Sequence, residues 1–285
     1  MRNVFSFRHL ALTLLAGWLA LFALLPNLLV LATSFLRRDE RDFVAFEWTL
    51  ESYRLLIDPI YLQVFIHSTL LAVAATVGCL LIGYPFAFVL ARQPPSRRRI
   101  LLLLIMVPFW TNSLVRSYAM RTLLAAKGVI NEVLISLGLI DKPLRMLYND
   151  GAVVVGLIYV LLPFMVLPLY AVMEKLDGRL LEAAVDLGAS RLQTFRRVVL
   201  PLTLPGMVAG ALLVFLPGLS MFYVADLLGG AKSMLVGNFI KNQFLSARHW
   251  PFGSAAATVF LGLMGLLLMV QWSSRRWLGQ GDDAL

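Results

Sequence analysis

Long apolar runs, interrupted by short polar stretches, set the rhythm of this chain. The first is uncharged from Leu10 to Leu36. Others cover about Val64 to Ala91, Ile100 to Val115 with a continuation past Arg116, Ala152 to Met173, Pro201 to Ala225, and Phe252 to Trp272. Each is near the ~20 residues an α-helix needs to cross ~30 Å of hydrocarbon, whereas barrel strands are about half as long and alternate. The pattern predicts an all-α, polytopic membrane protein: six transmembrane helices, both ends on one side, and a single transmembrane domain over 1–285. Arg2, Arg8 and His9 precede the first run as they would in a signal peptide. That run is too long for a signal core and no small-residue cleavage site closes it, so a retained first helix is expected.

Between the runs, local chemistry predicts further elements. Trp48 to Tyr53 reads as a short surface helix capped by Thr49, within a loop that carries Phe43, Phe46 and Tyr61. That loop is either an interfacial lid or a contact for an external delivery protein. His67, alone in an apolar helix, is expected to make a helix–helix hydrogen bond. Gly78 and Gly83 suit close packing, and Pro85 permits a kink. Residues 107–118 place Pro108, Trp110, Asn112, Arg116 and Tyr118 in or near the bilayer, where buried polar groups must be paired or wet. Two arrangements are open: Arg116 and Arg121 snorkel to the surface, or Trp110, Asn112 and Tyr118 line a water-filled path. Gly128 to Leu139 is too short to span and reads as an interfacial helix. Pro163 and Pro168 predict a bent fourth helix, which also carries Tyr159. Pro217-Gly218 predicts a broken or bent point in the fifth, which either lines a path or serves helix packing, with Phe222, Tyr223 and Asp226 following at its end.

The stretch 178–200 is the most organised. Glu182-Ala183-Ala184 leads through Leu187-Gly188-Ala189-Ser190 to Phe195, Leu200 and Pro201. Small residues at 183, 184, 188 and 189 let another surface approach. Leu192, Phe195 and Val199 recur at helical steps on one face. The expectation is a short helix, a tight turn and a second short helix, ended by Pro201 and Pro205 before a new span begins.

Composition agrees with this picture. Hydrophobic residues make up 60% of 285 and charged residues 14%, against about 25% in soluble domains, and mean hydropathy is +0.81. The formal charge of +9 has no concentrated basic face, so the partner it implies is membrane lipid, not nucleic acid. Lys and Arg divide almost evenly between the two sets of loops. Density favours the side holding Arg92, Arg97, Arg98 and Arg99, because residues 37–58 mix arginines with acidic residues. Cys79 stands alone, which leaves no disulfide and no cysteine metal cluster. No P-loop, zinc-protease helix or nucleophile elbow is present, and Asp150, Asp226 and the scattered histidines form no recognised site. No catalytic residue, metal or cofactor is expected, and a driving energy source would lie on another chain. No acidic residue lies centrally in any span, which disfavours an ion-driven carrier.

The 178–200 stretch resembles the EAA loop of ABC importer permeases: Glu182, Ala183, Ala184, Gly188, Leu200 and Pro201 fill that pattern. The resemblance extends along the chain to the permease family of bacterial spermidine/putrescine importers. It is carried by Leu25-Pro26-Asn27-Leu28, Gly83-Tyr84-Pro85-Phe86-Ala87, Val107 to Arg116, Leu161 to Tyr170, Phe222 to Leu227 with Gly229 to Lys232, and Trp250-Pro251-Phe252-Gly253. It implies a type I ABC importer permease fold (MetI-like) in the bacterial inner membrane, with both termini cytoplasmic. It also implies a second homologous permease, two cytoplasmic ATPase subunits and a periplasmic polyamine-binding protein as partners. Glu182, Ala183, Ala184, Gly188, Phe195 and Pro201 would then dock the ATPase. Trp110, Asn112, Tyr118, Tyr159, Phe222, Tyr223 and Asp226 are the candidates for the polyamine path, since ammonium groups call for carboxylates and aromatic faces. Permeases for phosphate, sulfate, iron or phosphonate share the loop and fold, and are the alternative.

Overall fold

The computed structural model describes residues 2–39, 43–230 and 233–277. Glu40 to Asp42, Ala231-Lys232 and the residues after Trp277 lie outside them, as do the side chains of Arg2, Arg8, Arg275 and Arg276. In chain order the helices begin with α1 (Arg2–Leu19), a π turn (Ala20–Leu24) and α2 (Leu25–Ser34). A two-stranded antiparallel pair follows, β1 (Leu36–Arg37) with β2 (Ala45–Trp48), then α3 (Glu51–Leu56) and α4 (Pro59–Ala91). Next come α5 (Pro95–Met106), a 3₁₀ turn (Val107–Trp110), α6 (Ser113–Leu124), α7 (Val129–Ser136), α8 (Asp150–Met173) and α9 (Gly178–Asp186). The chain continues through α10 (Arg191–Thr194), a π turn (Phe195–Val199), α11 (Leu200–Ser220), α12 (Phe222–Val224) and a π turn (Ala225–Gly229). It closes with α13 (Val236–Leu245) and α14 (Trp250–Trp277).

Among the described residues, five helices are long and apolar enough to cross a membrane: His9–Ser34, Pro59–Ala91, Asp150–Met173, Arg191–Ser220 and Trp250–Ser273. A sixth is counted if Pro95–Trp110 and Ser113–Ser136, bent by 93° at their break, form one span. The sequence pattern expected that third segment to run on past Arg116. Instead it turns where Pro108 opens a 3₁₀ turn, Thr111 goes extended, and the Asn112 side chain accepts the Leu114 N–H at 2.8 Å to start a new helix.

Three other expectations are corrected. The surface helix starts at Glu51, not Trp48. Trp48 pairs with Leu36 in the small sheet, while the Thr49 hydroxyl does accept from the Glu51 N–H at 3.1 Å. Pro201 and Pro205 do not separate a loop helix from a span, because one helix runs from Arg191 to Ser220. The π turn is the reason: Leu200 N–H reaches back five residues to Phe195 O, opening the turn just where the Pro201 ring would clash with a normal α-turn carbonyl. The same device precedes Pro26, where Leu25 N–H bonds to Ala20 O. Lastly, the fifth helix passes Pro217-Gly218 and ends at Ser220, with the break at Met221 (φ −74°, ψ 67°).

The chain divides into two compact units. The first comprises residues 1–63 and 239–285. In it α14 packs on α2 and α3, and Ser34 Oγ lies 2.7 Å from the Tyr53 hydroxyl. Tyr61, Phe239 and Phe252 cluster with ring centroids 4.8–5.5 Å apart. His249 Nδ1 accepts the Phe252 N–H at 3.2 Å, capping the start of α14.

The second unit is residues 64–238. Its core is built on α8, whose Val153, Leu157, Leu161, Met165 and Leu169 are fully enclosed. Helix α11 lies along α8, and Gly210 permits it: a Cβ there would stand 3.1 Å from the Met165 carbonyl oxygen and 2.8 Å from its sulfur. Buried Asn131 binds the segment after α7 back onto the chain. Its Nδ2 donates to Ala125 O and Leu144 O, both at 3.1 Å, and its Oδ1 accepts Leu144 N–H at 2.8 Å. At the Asp150 end of α8, His67 Nε2 lies 3.0 Å from Asp150 Oδ2, the helix–helix bond expected of that histidine. Ser233 donates to the other carboxylate oxygen. Ser68 Oγ accepts the Val236 N–H at 2.9 Å, and Asn238 Oδ1 accepts the Leu235 N–H at 3.2 Å.

Candidate functional site

The 178–200 element is built from caps. Asp177 accepts the Arg179 N–H at 3.0 Å and opens α9. At its far end Ala189 N–H bonds to Ala184 O (3.0 Å) and Gly188 N–H to Val185 O (2.8 Å), with Gly188 at φ +81°. This nested pair is a Schellman cap, and it explains the motif's spacing: the Ala184-to-Gly188 step is the interval from the third-last helical residue to the left-handed position. Ser190 then opens α10 with a reciprocal capping box. Its hydroxyl accepts the Gln193 N–H (3.3 Å), and Gln193 Oε1 accepts the Ser190 N–H (2.8 Å). The turn is therefore fixed on one side by backbone–backbone bonds and on the other by side chains bonded to backbone N–H groups. The Ser190-x-x-Gln193 signature was visible in the sequence and was overlooked.

Among the residues expected to dock a partner, Glu182, Ala183, Gly188 and Pro201 are exposed, and Ala184 is buried against the chain. Phe195 faces inward, edge-on to Tyr84 at 5.8 Å, and the Tyr84 hydroxyl lies 3.0 Å from Thr203 Oγ1. The most exposed apolar side chain of the element is one the sequence did not single out: Leu187, 88% exposed beside Gly188. Leu192 is also exposed, although Val199 is buried. The π turn explains why Leu192 and Val199 part company, since its extra residue rotates the face that a regular helix would keep aligned.

The path candidates lie on converging elements. Helix α6 packs on α8, and both pack on the Ala225–Gly229 turn. The Tyr223 hydroxyl donates to Ser113 Oγ at 3.0 Å, next to the helix-capping Asn112. Phe222 stands edge-on to Tyr223 at 5.9 Å. Asp226 is exposed and accepts a hydrogen bond from Asn238 Nδ2, which also donates to Phe222 O at 2.9 Å. Sequence reasoning left Asn238 out. Its type gave no signal, since only the fold brings it to Asp226. Tyr159 is partly exposed on α8, with the Arg116 guanidinium carbon 6.0 Å from its ring centre. Arg116 is half-buried rather than fully extended to solvent, and its Nε is enclosed without a partner among the described residues. Trp110, 77% exposed, ends the 3₁₀ turn before the bend, and Tyr118 is half-exposed on α6.

A family model described as binding-protein-dependent transport system inner membrane component matches residues 83–278. The chain belongs to this family. It is accordingly a multi-pass inner-membrane permease component, a transport rather than a catalytic subunit. The spermidine/putrescine transport system permease protein PotB of Salmonella typhimurium (strain LT2) is 51% identical over 280 residues, covering 98% of each chain. The PotB of Escherichia coli (strain K12) is 53% identical over 266 residues, covering 93% of this chain and 97% of the relative. A crystal structure of a bacterial alginate ABC transporter, in complex with its alginate-bound periplasmic protein, superimposes with a TM-score of 0.75 over 97% of this chain at 16% identity. That likeness establishes the shared permease fold.

Proposed function

We propose that this permease is a subunit of an ATP-driven polyamine (spermidine/putrescine) uptake transporter, forming half of the translocation path. The observation that carries the reading is identity above 50% along nearly the whole chain to permeases named for spermidine and putrescine transport. The exposed Asp226 carboxylate beside Phe222 and Tyr223 is chemically consistent with an alkylammonium substrate. Residues 1–285 act as one transmembrane domain. Both termini and the 178–200 coupling loop face the cytoplasm. There the loop docks one of two ATPase subunits through the exposed Glu182, Ala183, Gly188 and Pro201, joined by Leu187, while Ala184 and Phe195, which face this chain, hold the loop in shape for that contact. A second homologous permease supplies the other half of the path, and a periplasmic binding protein delivers the polyamine. Trp110, Asn112, Tyr118, Tyr159, Phe222, Tyr223 and Asp226 line this chain's share of the path. Coupling through the loop is reciprocal, so substrate delivery changes ATP hydrolysis as ATP changes transport.

The test is uptake of labelled spermidine by cells deleted for their own polyamine importers and supplied with the assembled system, with or without this chain. Saturable uptake that requires the chain and is competed by putrescine, but not by phosphate or an iron chelate, is expected. A complex that assembles yet takes up no polyamine would move the substrate to another solute class while leaving the family unchanged.

A further inference from the structure

Where the coupling loop meets the ends of two spans, the second unit holds a cavity of about 310 Å³. Its walls are apolar, formed by Phe88 at the end of α4, Leu181 and Val185 of α9, and Phe195 at the start of the α11 span. Two guanidinium groups and one hydroxyl-bearing residue supply the polar lining, from Arg92, Arg191 and Thr194, and among the described residues no acidic one contributes. Arg92 stacks on Phe88 with its guanidinium carbon 3.5 Å from the ring centre, leaving the N–H edges of the fork available. Thr194 is the anomaly. It is 8% exposed and its Oγ1 is enclosed without a hydrogen-bond partner among the described residues. Elsewhere in these helices Thr69, Thr76, Thr122 and Thr203 each donate to the carbonyl four residues back. An enclosed hydroxyl without a partner is rare in native proteins and calls for a missing group.

Each property narrows the occupant. Two cations and a hydroxyl donor select an anion with several acceptor oxygens. Apolar walls exclude a small hydrated anion as the full occupant and favour one that carries hydrocarbon. A polyamine is repelled by the same arginines. The cavity lies at the ends of two membrane-spanning helices, where lipid headgroups reside, and its volume admits a headgroup with its first methylenes rather than whole acyl chains. We propose that this cavity binds one anionic phospholipid, whose phosphate is held by Arg92 and Arg191 and accepts from Thr194 Oγ1 while its proximal chain lies on Phe88, Leu181, Val185 and Phe195. The lipid is thereby wedged between the coupling helix α9 and the first turns of the fifth span, so the position of the loop depends on the membrane's anionic lipid. The assignment stands on the spans and the cavity, and does not depend on which solute is transported.

The test is native mass spectrometry of the assembled transporter, titrated with phosphatidylglycerol or with phosphatidylcholine of the same chains. Phosphatidylglycerol should bind more tightly, and Arg92→Gln or Arg191→Gln should each cut that preference about fivefold, the effect of one basic side chain facing an anionic headgroup. Thr194→Val, close to isosteric, should weaken both lipids, which share the phosphate, without changing their ratio. Equal binding of the two lipids, or arginine variants that leave the ratio unmoved, would overturn the proposal. Displacement of the lipid by equimolar inorganic phosphate, or lipid binding seen only when the ATPase is absent, would overturn it too, assigning the cavity to a free anion or to the ATPase interface. Where an arginine variant fails to assemble, the wild-type lipid ratio and Thr194→Val decide. Binding is read without transport, so a failed polyamine uptake assay leaves this result standing.

Discussion

Asp226 shows how a single side chain is prepared for a ligand. One carboxylate oxygen is engaged by buried Asn238, yet the residue remains exposed. Asp226→Asn keeps an acceptor for Asn238 and removes only the charge. It should raise the half-saturation concentration for spermidine about tenfold, equivalent to ~1.4 kcal/mol, with maximal uptake and assembly unchanged, as measured by labelled uptake. An unaltered half-saturation value would remove Asp226 from the path. Its carboxylate and its aromatic neighbours were legible because they adjoin in sequence; Asn238, twelve residues on, was not. His249 makes a second prediction. To accept the Phe252 N–H its ring must be neutral at Nδ1. Burial, then the positive charge of Arg38, holds its pKa below the ordinary histidine value, against an opposing pull from Glu51; Arg37 also lines this site. A folded value below the unfolded ~6.5 means the contribution is complete above that pH and is lost as pH falls through the folded value. The thermal midpoint of the purified complex should therefore decline on acidification below about pH 6.5. His249→Asn, which caps without titrating, should flatten that decline.

At the scale of elements, the coupling loop separates backbone strain from contact. A Cβ at Gly188 meets nothing within 4 Å among the described residues, but the residue sits at φ +81°. Gly188→Val therefore costs ~1–2 kcal/mol of left-handed strain, whereas Gly188→Asn tolerates the conformation. Both should reduce substrate-stimulated ATPase activity if the glycine lies against the ATPase, and only Gly188→Val should lower the thermal midpoint. Full stimulation with Gly188→Asn would show that close approach is not what this position provides. Pro201→Ala removes the reason for the π turn. Reversion to an α turn would rotate α10 by about 100° relative to the span, so stimulated ATPase activity should fall while thermal stability does not. The glycine was legible because cap arithmetic is written in the spacing. The π turns were not, because a proline in sequence announces a break and gives no sign that one extra residue upstream will absorb it. The 93° bend was half legible: Pro108 and Asn112 stand out within an apolar run, but nothing local fixes an angle.

At the scale of the molecule, six apolar runs in sequence became, among the described residues, five helices long and apolar enough to span and one bent pair. Hydrophobic length is a direct signal of membrane crossing, which is why that level was read correctly. Which face of each span is buried was harder. Helix α8 is apolar all round and its periodicity is mute, so its central place in the second unit emerges only from packing. Gly210→Leu drives a side chain into the Met165 backbone and should lose most folded protein in a membrane-fraction yield assay, by overpacking of more than about 3 kcal/mol. The Asn131 clip was likewise invisible, since it reaches the Leu144 backbone 13 positions on; a helix–helix bond was expected of His67, but its partner Asp150, 83 positions away, and Ser233, a further 83 on, emerge only from the fold.

The last of these networks has a kinetic counterpart. Val236 N–H is delivered to the Ser68 hydroxyl and Leu235 N–H to the Asn238 amide, both in buried surroundings, although neither bond belongs to a helix ladder. In deuterated solvent such amides exchange only when the segment lifts off α4. Residues 235 and 236 thus serve as a clock for that motion. If alternating access moves this segment, their deuterium uptake will quicken during turnover and slow again when ATP is withheld.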